Sequence, residues 1–343
     1  MLRLIDANLD RLGEGLRVLE DISRFLLNDA VLSKRLKTLR HSLVKSLGSL
    51  EQDLISARRV AEDVGAPTEK RVTLQHKDLP AMVMANSRRV QESLRVLEEF
   101  SRLSGEPLAG KAGEFESIRF EAYELEQQLV GRLLRQDKAS RLKGLYLVLD
   151  TAALKGRDAV EVAAAAIRGG AKTIQLRDKL RTKAELLTVA RKLRDMCAEK
   201  GVLFIVNDHL DIAMAVSADG LHLGQNDLPP AEARRILPID TLIGCSTHST
   251  AEAVRAQAGG ADYVAVGSIY PTTSKEKYKL VGLDTLRRTR SKVLVPLIAI
   301  GGINHANVQE VMEAGADSVA VISAVLGSDD VEKATRRLVA KMK

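Results

Sequence analysis

Apolar residues recur at spacings of three and four through the first 135 residues, as at Leu9, Leu12, Leu16 and Leu19, the period of helices that bury one face. The pattern predicts an all-α unit. It also repeats: ANLDRLGEGLRVLEDISR, from Ala7 to Arg24, returns as ANSRRVQESLRVLEEFSR from Ala85 to Arg102, a displacement of 78 residues. Arg40, beyond the first copy, has a counterpart in Arg119 beyond the second. A helical hairpin duplicated into a bundle accounts for both observations. Between the copies, RRVAEDVGAPTEKRV (Arg58 to Val72) carries Gly65 and Pro67, which break a helix and predict a loop. A charged stretch, RQDKASRLKG from Arg135 to Gly144, reads as the connection to the remainder of the chain. The predicted domains are 1–138 and 139–343, with the change near Ser140.

Beyond that point the period alters. Eight short aliphatic and β-branched runs alternate with helical stretches: GLYLVLD at Gly144, TIQLRD at Thr173, LFIVND at Leu203, GLHLG at Gly220, IGCST at Ile243, YVAVGSI at Tyr263, LIAIGG at Leu297 and SVAVIS at Ser318. Strands that are apolar at nearly every position belong to a parallel sheet covered on both faces. Eight such units with intervening helices close into a (β/α)₈ barrel, the alternative being an open doubly wound sheet. In a barrel the chemistry is built where the strands end. The predicted fold class is therefore α/β, a TIM barrel preceded by an all-α bundle.

Composition narrows the setting. The chain of 343 residues is 45% hydrophobic and 28% charged, with 3% aromatic residues and no Trp, as in a globular protein with an aliphatic core. Its two cysteines, Cys197 and Cys245, form no metal-binding spacing and fit a reducing cytoplasm. The first twenty residues hold acids and no continuous apolar run, so they do not read as a signal peptide, and no stretch is apolar for long enough to span a membrane. A net charge of +7 without basic stripes interleaved with aromatics favours small phosphorylated substrates over nucleic acid. Homo-oligomerisation is left open.

The strand ends carry the candidate chemistry. Gln175, Arg177 and Lys179 alternate onto one side after the second run and predict an anion clamp at the barrel mouth, a surface pair being the plainer reading. Asn207 and Asp208 end the third run, and Asp227 follows the fourth. Carboxylates from neighbouring strand ends suit Mg²⁺; taken singly, each reads equally well as a helix cap. Ser246 ends the fifth run with Thr247 and His248 behind it, and His248 reads more readily as a loop or capping residue than as a base. YPTTSKEKY supplies Thr272, Thr273, Ser274 and Lys275, hydroxyls and an ammonium suited to a phosphate. Gly301, Gly302, Ile322 and Ser323 end the last two runs, the usual phosphate site of a barrel. No catalytic triad is assembled, and Cys245 falls where it faces the core. Two anion sites, a metal site and no strong nucleophile suit the departure of a diphosphate from one substrate and attack by a second, phosphate-anchored one.

The motifs QLRDK, VND, GLHLGQND, GCSTHS, VAVGSIYPTTSK, IAIGGI and AVISAV, in this order from Gly144 to Leu326, together resemble thiamine-phosphate synthase. The resemblance implies coupling of 4-amino-5-hydroxymethyl-2-methylpyrimidine diphosphate to 4-methyl-5-(2-phosphoethyl)thiazole. It implies that Gln175, Arg177, Lys179, Asn207 and Lys275 hold the pyrimidine diphosphate, that Ser246 touches its diphosphate, and that Asp208 and Asp227 bind Mg²⁺. By the same resemblance Thr272 and Ser274 face the thiazole phosphate, with Gly302, Ile322 and Ser323 as its cradle, and Arg177, Lys179, Ser246 and Lys275 are the catalytic set. Leu149, Ser268 and Ser274 depart from commoner family residues without removing a charge. The related thiazole tautomerases share the fold but need no diphosphate clamp. The N-terminal bundle resembles a domain fused to such synthases and associated with phosphorylation of hydroxymethylpyrimidine phosphate, although it contains no P-loop. Asn8, Arg11, Glu14 and Arg17, repeated as Asn86, Arg89, Glu92 and Arg95, are its candidate polar site; ion pairing on a solvated face, in a bundle that only mediates dimerisation, is the alternative.

Overall fold

A computed structural model describes residues 1–47, 50–58, 75–272 and 278–342. The chain divides into two compact units, Met1–Leu134 and Arg135–Lys343. No helix among the described residues is long and apolar enough to cross a membrane. The Gly65 and Pro67 loop, like Thr273, Ser274 and Lys275, lies outside the described residues.

The first unit is helical: α1 (Leu2–Asp21), α2 (Ala30–Leu47), α3 (Glu51–Ser56), α4 (Leu79–Phe100) and the start of α5 (Ala112–Ser140). The two sequence copies occupy α1 and α4, which pack against each other. Leu12, Leu16 and Leu19 and their counterparts Val90, Leu94 and Leu97 are all buried in one core. Contact is close at Gly15, where a Cβ would fall 2.7 Å from Val90 Cγ2 and 3.2 Å from the Asn86 carbonyl; a larger residue there would force the helices apart. The duplication extends to buried charge. Glu20 pairs with Arg40 at 3.0 Å, and Glu98 pairs with Arg119 at 3.0 Å. Each carboxylate is buried and is tolerable only because its guanidinium accompanies it.

The second unit is a closed parallel barrel with strands in sequential order. They are β1 (Gly144–Asp150), β2 (Thr173–Arg177), β3 (Leu203–Asn207), β4 (Gly220–Leu223), β5 (Leu242–Thr247), β6 (Tyr263–Gly267), β7 (Leu297–Ile300) and β8 (Ser318–Val321), and β8 closes on β1. All eight runs read from the sequence are strands. Alternate residues build two cores. Tyr146, Val148, Ile205, Tyr263, Ala265 and Ile298 fill the interior, while Leu147, Ile174, Phe204, Val264 and Val319 face the surrounding helices. Cys245 belongs to this outer layer, where burial first and Asp262 second push its thiol up to about 12. It is no nucleophile.

The charged stretch from Arg135 is not an open connection. It continues α5 to Ser140, and two of its charges are ion-paired: Arg135 to Asp262 at 3.0 Å and Lys138 to Asp240 at 2.7 Å. Ala139 and Leu142 then join the barrel's inner core.

Candidate active site

Two cavities open at the C-terminal ends of the strands. One, of about 290 Å³, is lined by Arg177, Lys179, Asn207, Asp208, Asp227 and Ser246, with Gly224, Gln225, Asn226 and His248. The other, of about 90 Å³ and more enclosed, includes Ser246, His248, Thr272, Gly302, Ile322 and Ser323 in its wall. Ser246 and His248 line both. Of the strand-end residues singled out in the sequence, Arg177, Lys179, Asn207, Asp208, Asp227, Ser246, Thr272, Gly302, Ile322 and Ser323 line these adjoining chambers, and Gln175 lines neither.

Gln175 is the exception in depth. Its position two residues before Arg177 places it about one side-chain layer, or ~7 Å, further down the strand. It is buried, and its Nε2 has no hydrogen-bond partner. A buried amide donor without a partner costs about 1–3 kcal/mol, so this atom marks a place where a ligand acceptor would be stabilised.

The cationic chamber is built by the strand ends. Arg177, the last residue of β2, is ion-paired to Asp150, the last residue of β1. Asp150 also caps the following turn by accepting from Ala152 N at 3.0 Å. Asp208 comes directly after β3 with φ of +62°, a left-handed conformation that Asp tolerates better than most residues. Its amide donates to the His222 carbonyl at 2.9 Å. Asp227 is held by accepting from Gly224 N at 2.7 Å. The two residues line the same chamber. Burial first, and then Asp227, push the Asp208 carboxyl above the usual range, while Lys179 and Arg177 pull the other way. Two acids this close require either a shared proton or a cation. Among the described residues no cluster of three or more metal-binding side chains occurs. The donor set is therefore two carboxylates, which fits Mg²⁺ completing its coordination with water and phosphate oxygens.

Glycine geometry shapes the second chamber. Gly301 and Gly302 have φ of +101° and +66°, and a Cβ on either would sit 2.4 Å from Ser268 Oγ or from the Pro271 carbonyl. Only glycine lets these two backbones approach so closely. Ser323 begins the short helix after β8. His248 lines the rim, but its amide donates to Glu252 Oε2 at 2.7 Å and its Nδ1 lies 3.4 Å from the same oxygen, which makes it the loop residue before the cap, Ser249, of the following helix.

Below the shared wall runs a connection that sequence reasoning missed. Tyr146 Oη lies 3.1 Å from Tyr263 Oη, Tyr263 Oη lies 3.1 Å from His222 Nδ1, and His222 Nε2 lies 2.9 Å from Ser246 Oγ. Burial raises both tyrosines well above their ordinary range, so both keep their protons. Among the described residues Tyr263 is the one hydrogen-bond partner of the Tyr146 hydroxyl. Tyr146 must donate to Tyr263, since any other polarity leaves a buried O–H unpaired. Tyr263 then donates to Nδ1, Nε2–H donates to Ser246, and the Ser246 hydrogen is free at the point where the chambers meet.

Residues 145–325 match the family described as thiamine monophosphate synthase, and residues 3–128 match the ThiD2 family. A thiamine-phosphate synthase of Thermosynechococcus vestitus is 41% identical over 99% of this chain and 94% of its own. The chain belongs to the thiamine-phosphate synthase family. That of Synechocystis is 39% identical over 99% of this chain and 96% of its own, so the two-part layout is common to these relatives. A solved structure, the thiamine phosphate pyrophosphorylase of Pyrococcus furiosus, is 40% identical with a TM-score of 0.55, covering 60% of this chain and 97% of that one. Members of the synthase family are transferases, and this chain is one.

Proposed function

We propose that the barrel joins 4-amino-5-hydroxymethyl-2-methylpyrimidine diphosphate to 4-methyl-5-(2-phosphoethyl)thiazole across the two chambers, and that the helical unit phosphorylates the pyrimidine monophosphate beforehand. The meeting of a cationic chamber and a glycine-walled chamber at Ser246 is the observation that carries the first part. A condensation of two phosphorylated substrates needs two anion sites with their reactive ends adjacent. Arg177 and Lys179 receive the diphosphate, Asn207 and the unpartnered Gln175 Nε2 take the pyrimidine, and Gly302, Ile322, Ser323 and Thr272 receive the thiazole phosphate. Lys275 and Ser274 complete these two sets. Mg²⁺ held by Asp208 and Asp227 would neutralise charge on the diphosphate. Ser246, with its hydrogen free, donates to the leaving oxygen as the bond to the pyrimidine methylene breaks; the thiazole nitrogen then forms the new bond to that carbon. The test is incubation of the protein with both substrates and Mg²⁺: thiamine phosphate and diphosphate appear together, and failure of either product overturns the reading.

The two-chamber arrangement sets the outcome of two substitutions. Ser323→Ala should raise KM for the thiazole phosphate by about 5- to 30-fold with kcat nearly unchanged, since the phosphate's charge is constant through the reaction and one hydrogen bond to it is worth about 1–2 kcal/mol. Steady-state kinetics with each substrate varied in turn checks this; a rise confined to the pyrimidine diphosphate reverses the placement. His222→Leu should lower kcat by about tenfold, because Ser246 loses the donor that fixes its rotor, a net loss of about 1 kcal/mol or slightly more. Tyr146→Phe should have a smaller effect in the same direction. An unchanged kcat in His222→Leu would reduce the buried connection to packing.

A further inference from the structure

The duplicated charges of the helical unit fall into two groups with different fates. Arg17, Glu20 and Arg40, with their counterparts Arg95, Glu98 and Arg119, are all committed to ion pairs: Arg17 to Asp21 at 3.2 Å, Arg95 to Glu98 at 2.7 Å, and the buried pairs described above. Asn8, Arg11 and Glu14, with Asn86, Arg89 and Glu92, instead line a groove of about 810 Å³ where α1 meets α4. Among the described residues, no hydrogen bond or ion pair engages the side chains of Arg11, Glu14, Arg89 or Glu92. Each asparagine is buried and spends its Nδ2 on the carbonyl of the preceding turn, Leu4 at 2.8 Å or Met82 at 2.9 Å. That bond fixes the amide's orientation. Gly15 and its counterpart Ser93 form the groove's floor, where the close approach at Gly15 draws the repeats together.

Opposite charges brought into one groove by duplication, yet left unpaired while their neighbours on the same helices are paired, are suited to a ligand rather than to folding. We propose that this groove is a two-part binding site for phosphate-bearing ligands, with Asn8, Arg11 and Glu14 forming one half and Asn86, Arg89 and Glu92 the other. Each guanidinium forks onto a phosphate, and each carboxylate accepts from an amino or hydroxyl group on the same ligand. Transfer of a phosphoryl group between two phosphorylated molecules needs two such halves facing one another, one for the acceptor monophosphate and one for a phosphoanhydride donor of the nucleoside triphosphate class. The donor's bridging P–O bond breaks with its electron pair leaving on the donor's diphosphate, and the new P–O bond forms to an acceptor phosphate oxygen. The duplication supplies the two phosphate sites without a P-loop. The exchange of Gly15 for Ser93 in the groove's lining makes the halves unequal enough to tell two ligands apart.

This assignment rests on the kinase reading of the helical unit, and its test separates the two. The full chain is assayed for phosphorylation of the pyrimidine monophosphate with ATP, for calorimetric binding of the monophosphate, and for condensation when the diphosphate is supplied directly. Arg11→Ala and Arg89→Ala should each lower phosphorylation kcat/KM by at least tenfold, one chiefly through KM for the pyrimidine phosphate and the other through KM for ATP. Condensation should be unchanged in both, which also reports that the chain is folded. Arg17→Ala, on the same helix but ion-paired, should stay within threefold. Phosphorylation surviving in the Arg11→Ala Arg89→Ala double variant overturns the groove and leaves the kinase reading intact. If both variants raise KM for the same substrate, the division into halves is overturned. If the unsubstituted chain transfers no phosphate, the kinase reading falls and calorimetry decides the groove: monophosphate binding lost in the Arg11 or Arg89 variant sustains it, and binding indifferent to both, or absent throughout, overturns it.

Discussion

Asp227→Ala and Asp208→Ala should each lower the rate of thiamine phosphate formation by about a thousandfold, roughly 4 kcal/mol of transition-state stabilisation, while hardly moving the thermal midpoint. The contrast comes from where the two carboxylates sit. Asp227 is exposed and contributes one turn hydrogen bond to Gly224 N, whose loss costs about 1 kcal/mol. Asp208 is held against another acid, so that burial and like charge both oppose its ionisation; losing that repulsion offsets the cost of placing alanine at a φ of +62°. A pair that is unfavourable to the protein alone becomes favourable when a divalent ion lies against it. Asp208→Asn isolates the charge from the shape and should be nearly as slow as the alanine variant. In a magnesium titration each variant should need more Mg²⁺ to reach its own maximum. Near-normal rates at limiting Mg²⁺ in both variants would remove the metal from this site.

Why so much of this site could be read from the chain is a matter of barrel construction. A strand covered on both sides stays apolar until it leaves the barrel, so the first polar residues after each run mark the mouth; Arg177, Asn207, Asp208 and Ser246 were legible for that reason. What escaped depends on neighbours across the sheet. His222 sits inside GLHLG, where alternation shows that it faces inward but not what it meets. Its role comes from register: His222 lies opposite Gly244, and a Cβ at Gly244 would fall 1.9 Å from Tyr263 Cζ. The missing side chain on β5 lets a tyrosine from β6 reach a histidine on β4, and no single strand carries that information. Asp150 escaped likewise, because its worth lies in Arg177 on the next strand. In the helical unit the repeat was legible, whereas the sorting of its charges into paired and unpaired sets required the partners' positions. Arg40 and Arg119 were visible as counterparts; that each neutralises a buried glutamate was not.

Arg177→Ala is expected to lower kcat by about a hundred- to a thousandfold with a smaller change in KM for the pyrimidine diphosphate. The diphosphate gains negative charge on its leaving oxygen as the carbon–oxygen bond breaks, so a guanidinium fixed beside it binds the transition state more tightly than the substrate. Its fixing is visible: Asp150 grips Arg177 from β1 and is itself locked by the Ala152 amide, so little reorganisation is needed during the reaction. The same ion pair makes the substitution costly to the fold, because Asp150, buried with 8% of its side chain exposed, would be left as an uncompensated charge; several kcal/mol is the usual scale. Arg177→Ala Asp150→Asn removes that complication and should recover stability without recovering turnover. Arg177→Lys should regain part of kcat, since it restores the charge without the two-pronged geometry. The decisive comparison is with Ser323→Ala under identical conditions: the arginine variant slow at saturation with both substrates, the serine variant slow only when the thiazole phosphate is scarce. Should Arg177→Ala regain full speed at saturating pyrimidine diphosphate, this guanidinium would serve binding alone, and the stabilisation of the departing diphosphate would have to come from Lys179 and the Asp208–Asp227 site.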